Sequence, residues 1–158
     1  MNTEELRITF QKAADLQQLG AADRTLLTAA RAAVRRAYAP YSGYSVGAAV
    51  LLDNGQIFTG NNQENVSFPA GVCAERVALS YANANFPDSR VVAVAISAVG
   101  TNGAPVPQIS PCGICRQVLH ECEMRFGRPV RLILDGTDSL IVVKQAADLL
   151  PLSFVKLS

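Results

Sequence analysis

Three cysteines and one glutamate constrain this chain more than any other residues in it. Cys73-Ala74-Glu75 lies far upstream of Pro111-Cys112-Gly113-Ile114-Cys115, and the fold must bring these segments together if their thiols are to share one ion. Cys112 and Cys115, three positions apart, differ by about 60° around an α-helix, so one helix can aim both at a common point. Cys73 and Glu75, two apart, would point about 200° apart on a regular helix. Cys73 must therefore end a loop, and Glu75 must open a helix. Both Cys73 and Cys112 then stand at helix N-termini, where unpaired N–H groups and the positive dipole end stabilise thiolates.

The first residues, Met1 to Glu5, lack the basic-then-apolar order of a signal peptide. Four cysteines in such a chain favour metal or reduced thiols over a disulfide framework, and the expected location is cytoplasmic. Three protein ligands, Cys73, Cys112 and Cys115, with a fourth position open, is the arrangement of a catalytic zinc; a closed structural zinc has four. Cys122 falls roughly 10 Å along the helix from Cys115, too far to complete such a site. It continues the apolar series Cys115, Val118, Leu119 and is assigned to the core. His120, the only histidine, lies about 140° around from Cys115 and is assigned to a surface or an interface. Competing readings are a zinc knot closed by all four cysteines, or buried thiols without metal.

An all-thiolate shell is formally negative, which weakens the ion as a Lewis acid. Arg76 is the expected compensation, hydrogen-bonding the ligand sulfurs from outside the coordination shell. Glu75, beside an open metal position and not counted as a ligand, suits a proton carrier for a water made acidic by zinc.

Along the chain, Leu6 to Phe10 alternates apolar and polar residues, a short strand signal. Leu26, Leu27, Ala30, Ala33, Val34 and Ala37 recur at helical spacing from about Ala22, in a helix that must stop before Pro40. Val46–Leu52, the turn Asp53-Asn54-Gly55 and Gln56–Gly60 read as a hairpin. A polar loop over Asn61–Gly71 precedes a second helix with Ala74, Val77, Ala78 and Tyr81 on one face. Val91–Ile96 is a near-continuous apolar run, expected of a central strand covered on both faces. A third helix is expected over about Cys112–Arg125, strands over Val130–Leu134 and Leu140–Val143, and a short helix over Ala146–Leu150. The order implies an α/β fold with a parallel portion. Residues 1–21 read as a leader that adds a strand or covers an interface, and residues 22–158 as the main domain. Net charge is +1 with 17% charged residues, no footprint for a polyanion, so no nucleic-acid partner is expected. No apolar run reaches the roughly 20 residues a membrane helix needs, so no membrane partner is expected either. The 49% hydrophobic content is a surplus that self-association would hide.

The pattern C-x-E…P-C-x-x-C is that of zinc-dependent nucleobase deaminases. The chain resembles the cytidine deaminase family of short nucleoside deaminases in Tyr38-Ala39-Pro40-Tyr41-Ser42, Val46-Gly47-Ala48-Ala49, Gly60-x-Asn62-x-Glu64-Asn65, Cys73-Ala74-Glu75-Arg76 and Pro111-Cys112-Gly113-x-Cys115-Arg116-Gln117-Val118-Leu119. These blocks run in family order, and the resemblance covers about residue 24 to Phe154. It implies a three-layer α/β/α sandwich with a five-stranded mixed sheet and one Zn²⁺ per subunit. It also implies cytidine and deoxycytidine as substrates, in pyrimidine salvage, and a homotetramer with sites shared between subunits. Asn62 and Glu64 would hold the sugar 3′-hydroxyl, the Ala74–Glu75 backbone the base, and the carbonyl near Ser110-Pro111 the leaving amine. Phe154 would stack on the pyrimidine across an interface, and Tyr44 would pack near the base. Tyr44, Val66 and Phe68 depart from the usual Phe, Ala and Tyr. Alternatives are a zinc deaminase of another aminopyrimidine, such as a blasticidin S-like compound or a modified cytidine, a non-catalytic zinc-stabilised binding module and, more weakly, a polynucleotide editor.

Overall fold

A computed structural model describes residues 1–155. The chain order is β1 (Phe10–Ala13), α1 (Ala21–Ala33), β2 (Ser45–Leu52), β3 (Ile57–Asn61), α2 (Ala74–Asn85), β4 (Val91–Val99), α3 (Gly113–Phe126), β5 (Arg131–Leu134) and β6 (Leu140–Val143), with a closing 3-10 turn over Ala146–Leu149. One mixed sheet carries them in the order β1-β6-β5-β4-β2-β3. Only β4 and β5 run parallel, with Ala93 opposite Arg131 and Ile96 opposite Leu134. β4 lies at the centre, and its alternate side chains feed two cores. Val94, Ile96 and Ala98 join Ala78 and Leu79 of α2 and Leu119 of α3; Ala93 and Ala95 join Leu26, Leu27 and Ala30 of α1. Burial on both faces is why the run from Val91 is apolar without a break.

The sheet has six strands, not five. The extra one is β1, which pairs antiparallel with β6 from Phe10 opposite Val143 to Ala13 opposite Leu140. The alternation at Leu6 to Phe10 pointed to a strand, but the observed strand shares only Phe10 with it. Ala13 sets the position: its side chain is buried on the α1 side with Leu19. The Asp15 carboxylate then accepts hydrogen bonds from the backbone N–H groups of Gln17 (2.8 Å) and Gln18 (3.3 Å), fixing the turn that delivers the chain to α1.

Two glycines let the helices lie against the sheet. A Cβ on Gly47 of β2 would fall 2.3 Å from the Ala30 carbonyl oxygen of α1. On Gly60 of β3 it would fall 2.5 Å from the Ala74 carbonyl oxygen and 2.6 Å from the Ala78 nitrogen of α2. Gly60 thus seats the first turn of α2, the turn that holds Glu75. Gly60→Ala must push α2 off the sheet. The expected cost is about 1–3 kcal/mol of stability, visible in thermal unfolding as a Tm several degrees lower; an unchanged Tm would refute this account of the helix seat.

Candidate active site

The N-termini of α2 and α3 meet on one side of the sheet. Cys73 caps α2 with extended backbone (φ −69°, ψ 152°), and Ala74 is the first helical residue. The loop-to-helix change required between Cys73 and Glu75 is therefore present. Cys112 caps α3 in the same way (φ −67°, ψ 167°), and Cys115 sits one turn in, fully buried. The Cys73 and Cys112 sulfurs are 3.7 Å apart, and all three sulfurs lie within 4.8 Å of one another. A tetrahedral zinc with bonds of about 2.3 Å spaces its sulfurs by about 3.8 Å, so this donor set fits that ion. Among the described residues, no fourth His, Cys, Asp or Glu belongs to the cluster.

Charge in this cluster is unevenly shared. The Cys73 thiol is drawn down to about 6, first by the neighbouring Cys115 thiol, against burial, then by Cys112 and the charge of Arg76. Cys115 is pushed up, by giving its hydrogen to Cys73 and by burial. Glu75 is 4% exposed, and burial is the first cause that raises its pKa. The Arg76 guanidinium makes no hydrogen bond among the described residues, to sulfur or otherwise; its influence on Cys73 is that of a nearby charge.

The residues read as sugar contacts brace two loops against each other. Asn62 accepts from the Val46 N–H at 2.7 Å and donates through Nδ2 to the Tyr44 carbonyl at 2.9 Å. Glu64 accepts at Oε2 from the N–H groups of Tyr41 (2.8 Å) and Ser42 (3.2 Å), and at Oε1 from the Ser42 hydroxyl. That hydroxyl, then the Tyr41 N–H, holds the Glu64 carboxyl below its usual range. Between them Gln63 exchanges two backbone hydrogen bonds of 2.9 Å with Val72, the residue before Cys73. Glu64 lines a cleft of about 380 Å³ with Tyr41, Ser42, Asn65, Phe68 and Gly71. Phe68, exposed, meets Tyr41 edge-on with ring centres 5.9 Å apart, and Val66 is exposed nearby in sequence. Tyr44 packs half-buried on the α2/α3 core, and burial pushes its phenol up. Ala74 is fully buried. A larger cavity of about 620 Å³ lies at the end of α1 and contains none of the expected site residues.

α3 also fastens the C-terminal segment, which the sequence did not disclose. Arg116 donates to the carbonyls of Pro111 (2.9 Å) and Leu149 (3.0 Å), and Gln117 to that of Phe154 (3.0 Å). Buried Glu123 accepts from the N–H groups of Val130, Ala146 and Ala147 at 2.7–2.9 Å. His120 is not a surface residue: its side chain is 13% exposed, with Nε2 3.0 Å from the Ser153 hydroxyl and Nδ1 3.8 Å from Glu123. Phe154 is 82% exposed at the end of this clamp. One signal for Arg116 was available. A cation in the first turn of a helix opposes the dipole, so it needs specific partners. Cys122 is buried, 3.7 Å from the Asn83 amide, in accord with a core position.

Metal content separates these cysteines. The protein should carry about one zinc per chain. Cys115→Ser should abolish it, and Cys122→Ser should leave it intact. Loss of zinc in the Cys122→Ser protein, with its fold retained, would overturn the assignment.

The family model for the cytidine and deoxycytidylate deaminase zinc-binding region matches residues 21–126, which include all three clustered cysteines and Glu75. A cytidine deaminase of Halalkalibacterium halodurans is 46% identical over 85 residues, 54% of this chain and 60% of that protein. The match therefore spans less than two thirds of that relative. One from Mycobacterium tuberculosis is 43% identical over 98 residues, 60% of this chain and 69% of that protein. The crystal structure of cytidine deaminase from Burkholderia pseudomallei superposes with a TM-score of 0.67 at 38% identity, covering 82% of this chain and 97% of that one. With its three-cysteine cluster at two helix N-termini, the chain belongs to the family of cytidine and deoxycytidylate deaminase zinc-binding proteins.

Proposed function

We propose that the protein catalyses the hydrolytic deamination of cytidine and deoxycytidine to uridine and deoxyuridine, releasing ammonia. The observation that carries this reading is Glu75, a buried carboxyl in the first turn of α2 beside three cysteines that leave a fourth metal position open. Cys73, Cys112 and Cys115 would hold one zinc, whose Lewis acidity makes water nucleophilic near neutral pH. Glu75 takes the proton of the attacking water and passes it to ring N3. The same carboxyl then takes the proton of the new C4 hydroxyl and delivers it to the amine as the C4–N bond breaks, leaving a C4 carbonyl and ammonia. Burial, which raises the proton affinity of Glu75, suits a group that must both accept and release a proton near neutrality. Arg76 offsets the charge of the thiolates from outside the coordination shell.

Asn62 and Glu64 orient the sugar 3′-hydroxyl. Their existing hydrogen bonds fix their side chains, and the carboxylate, with about four lone-pair directions, retains acceptor capacity. The Ala74–Glu75 backbone steadies the base with Tyr44 near it, and the carbonyl near Ser110-Pro111, one of whose neighbours is tied by Arg116, receives the amine. Phe154 stacks on the base in a neighbouring subunit of a homotetramer; its exposure and its backbone tether to Gln117 support that role. The deaminase unit is residues 22–158, with 1–21 an added leader, and the setting is cytoplasmic pyrimidine salvage.

A steady-state assay with cytidine, deoxycytidine, CMP and cytosine tests the substrate. Both nucleosides should react, and CMP and cytosine poorly. If neither nucleoside reacts while another aminopyrimidine does, the reading fails. Glu75→Gln should lower kcat about 10²–10⁴-fold while zinc content and Tm persist. Retained turnover in that variant would remove Glu75 from the mechanism.

A further inference from the structure

The alternation at the start of the chain is left unused by the fold. Leu6, Ile8 and Phe10 are 67%, 41% and 52% exposed. Among the described residues, the backbone from Glu4 to Thr9 makes no hydrogen bond. β1 continues this segment as the outermost strand, paired on one side only, with β6. A period of two puts Glu4, Leu6, Ile8, Phe10 and Lys12 on one face of an extended segment. That face is the one opposite Ala13, which is buried towards α1. An open edge followed by an apolar stripe is a template for another strand.

We propose that this edge pairs antiparallel with the same edge of a second copy, Ile8 lying opposite its counterpart Ile8. In that register Leu6 faces Phe10 of the other copy, and Glu4 faces Lys12, each pairing occurring twice by symmetry. Apolar residues meet apolar residues, and the flanking charges are complementary. Neighbouring symmetric registers lack this match. Centring on Arg7 opposes two arginines and sets Glu4 against Phe10, and centring on Thr9 sets Lys12 against Leu6. Lysine on an edge strand ordinarily discourages pairing; here Glu4 of the second copy neutralises it. A two-fold axis perpendicular to the sheet keeps equivalent faces on one side, so two six-stranded sheets become continuous in an isologous contact. The contact is at the opposite end of the sheet from β3, which leads into the loop carrying Cys73, so it neither requires nor obstructs the deaminase site.

Cysteine placed along the segment reads the register directly. In the zinc-loaded protein, Ile8→Cys exposed to oxidised glutathione should form a covalent dimer on a non-reducing denaturing gel. Directly opposed Cα atoms lie about 4.5–5.5 Å apart, within disulfide reach. Thr9→Cys should link at least about tenfold more slowly, because its counterpart is two residues out of register and beyond the roughly 7 Å limit. Both residues are exposed and outside regular structure, so neither change threatens the fold. Adding Glu4→Lys to Ile8→Cys should slow linking severalfold, and further adding Lys12→Glu should restore it. Equal linking of Ile8→Cys and Thr9→Cys, no linking of Ile8→Cys, or no restoration by the charge exchange would overturn the pairing. None of these readouts depends on which nucleoside the enzyme accepts.

Discussion

Two helix N-termini held within one sulfur–sulfur contact are the constraint on which the rest of the site depends. The starts of α2 and α3 each present unpaired N–H groups and the positive end of a helix dipole. Two such ends brought together repel, and only negative charge between them makes the arrangement favourable. The thiols at Cys73, Cys112 and Cys115 supply it, with the Cys73 and Cys112 sulfurs 3.7 Å apart. A divalent cation held by these three thiolates would place positive charge among them where the two helix ends converge, so metal affinity and the packing of α2 on α3 are linked.

The surrounding residues keep that juxtaposition rigid. Gly60 admits α2 to the sheet, and Gln63 and Val72 exchange hydrogen bonds just before Cys73. Asn62 and Glu64 bolt the same loop to the turn over residues 38–46. On the other side, Arg116 ties the carbonyl before Cys112 to Leu149, and Gln117, His120 and Glu123 extend the tie along α3. A side chain whose rotamer is already fixed by such bonds meets a ligand with little loss of entropy, which is how a supporting shell makes a site effective. The C-terminal segment is therefore continuous with the site through α3.

Much of this was legible in the residues because local geometry left few choices. The Cys73–Glu75 spacing demanded a loop-to-helix change, and the structure has it at Cys73. The hairpin at Asn54-Gly55 and the two-sided burial of β4 were likewise dictated by turn chemistry and by an unbroken apolar run. What escaped depended on long-range partners. The apolar alternation at Leu6 to Phe10 misplaced β1, because tertiary burial of Ala13 outweighed the periodic stripe. His120, measured around its helix from Cys115, was assigned to a surface or an interface. The C-terminal segment, which no periodicity on α3 could reveal, folds over that face and buries it.

Cavity size alone would have directed attention to the end of α1, away from the three cysteines. The larger cavity contains Asp135, but that carboxylate is saturated. Oδ2 accepts from Arg31 Nε (2.8 Å) and the Ser97 hydroxyl (2.7 Å), and Oδ1 from Arg31 (2.6 Å) and the Gly136 N–H (3.0 Å). It is a brace between α1 and the ends of β4 and β5, with its strongest acceptor directions already used. In the cysteine cluster the sulfurs lie within 4.8 Å of one another, and the Glu75 carboxyl is buried beside them. What distinguishes a reactive site here is unsatisfied chemistry at a shared focus. The fold creates it by ending two loops at the same place and starting a helix from each.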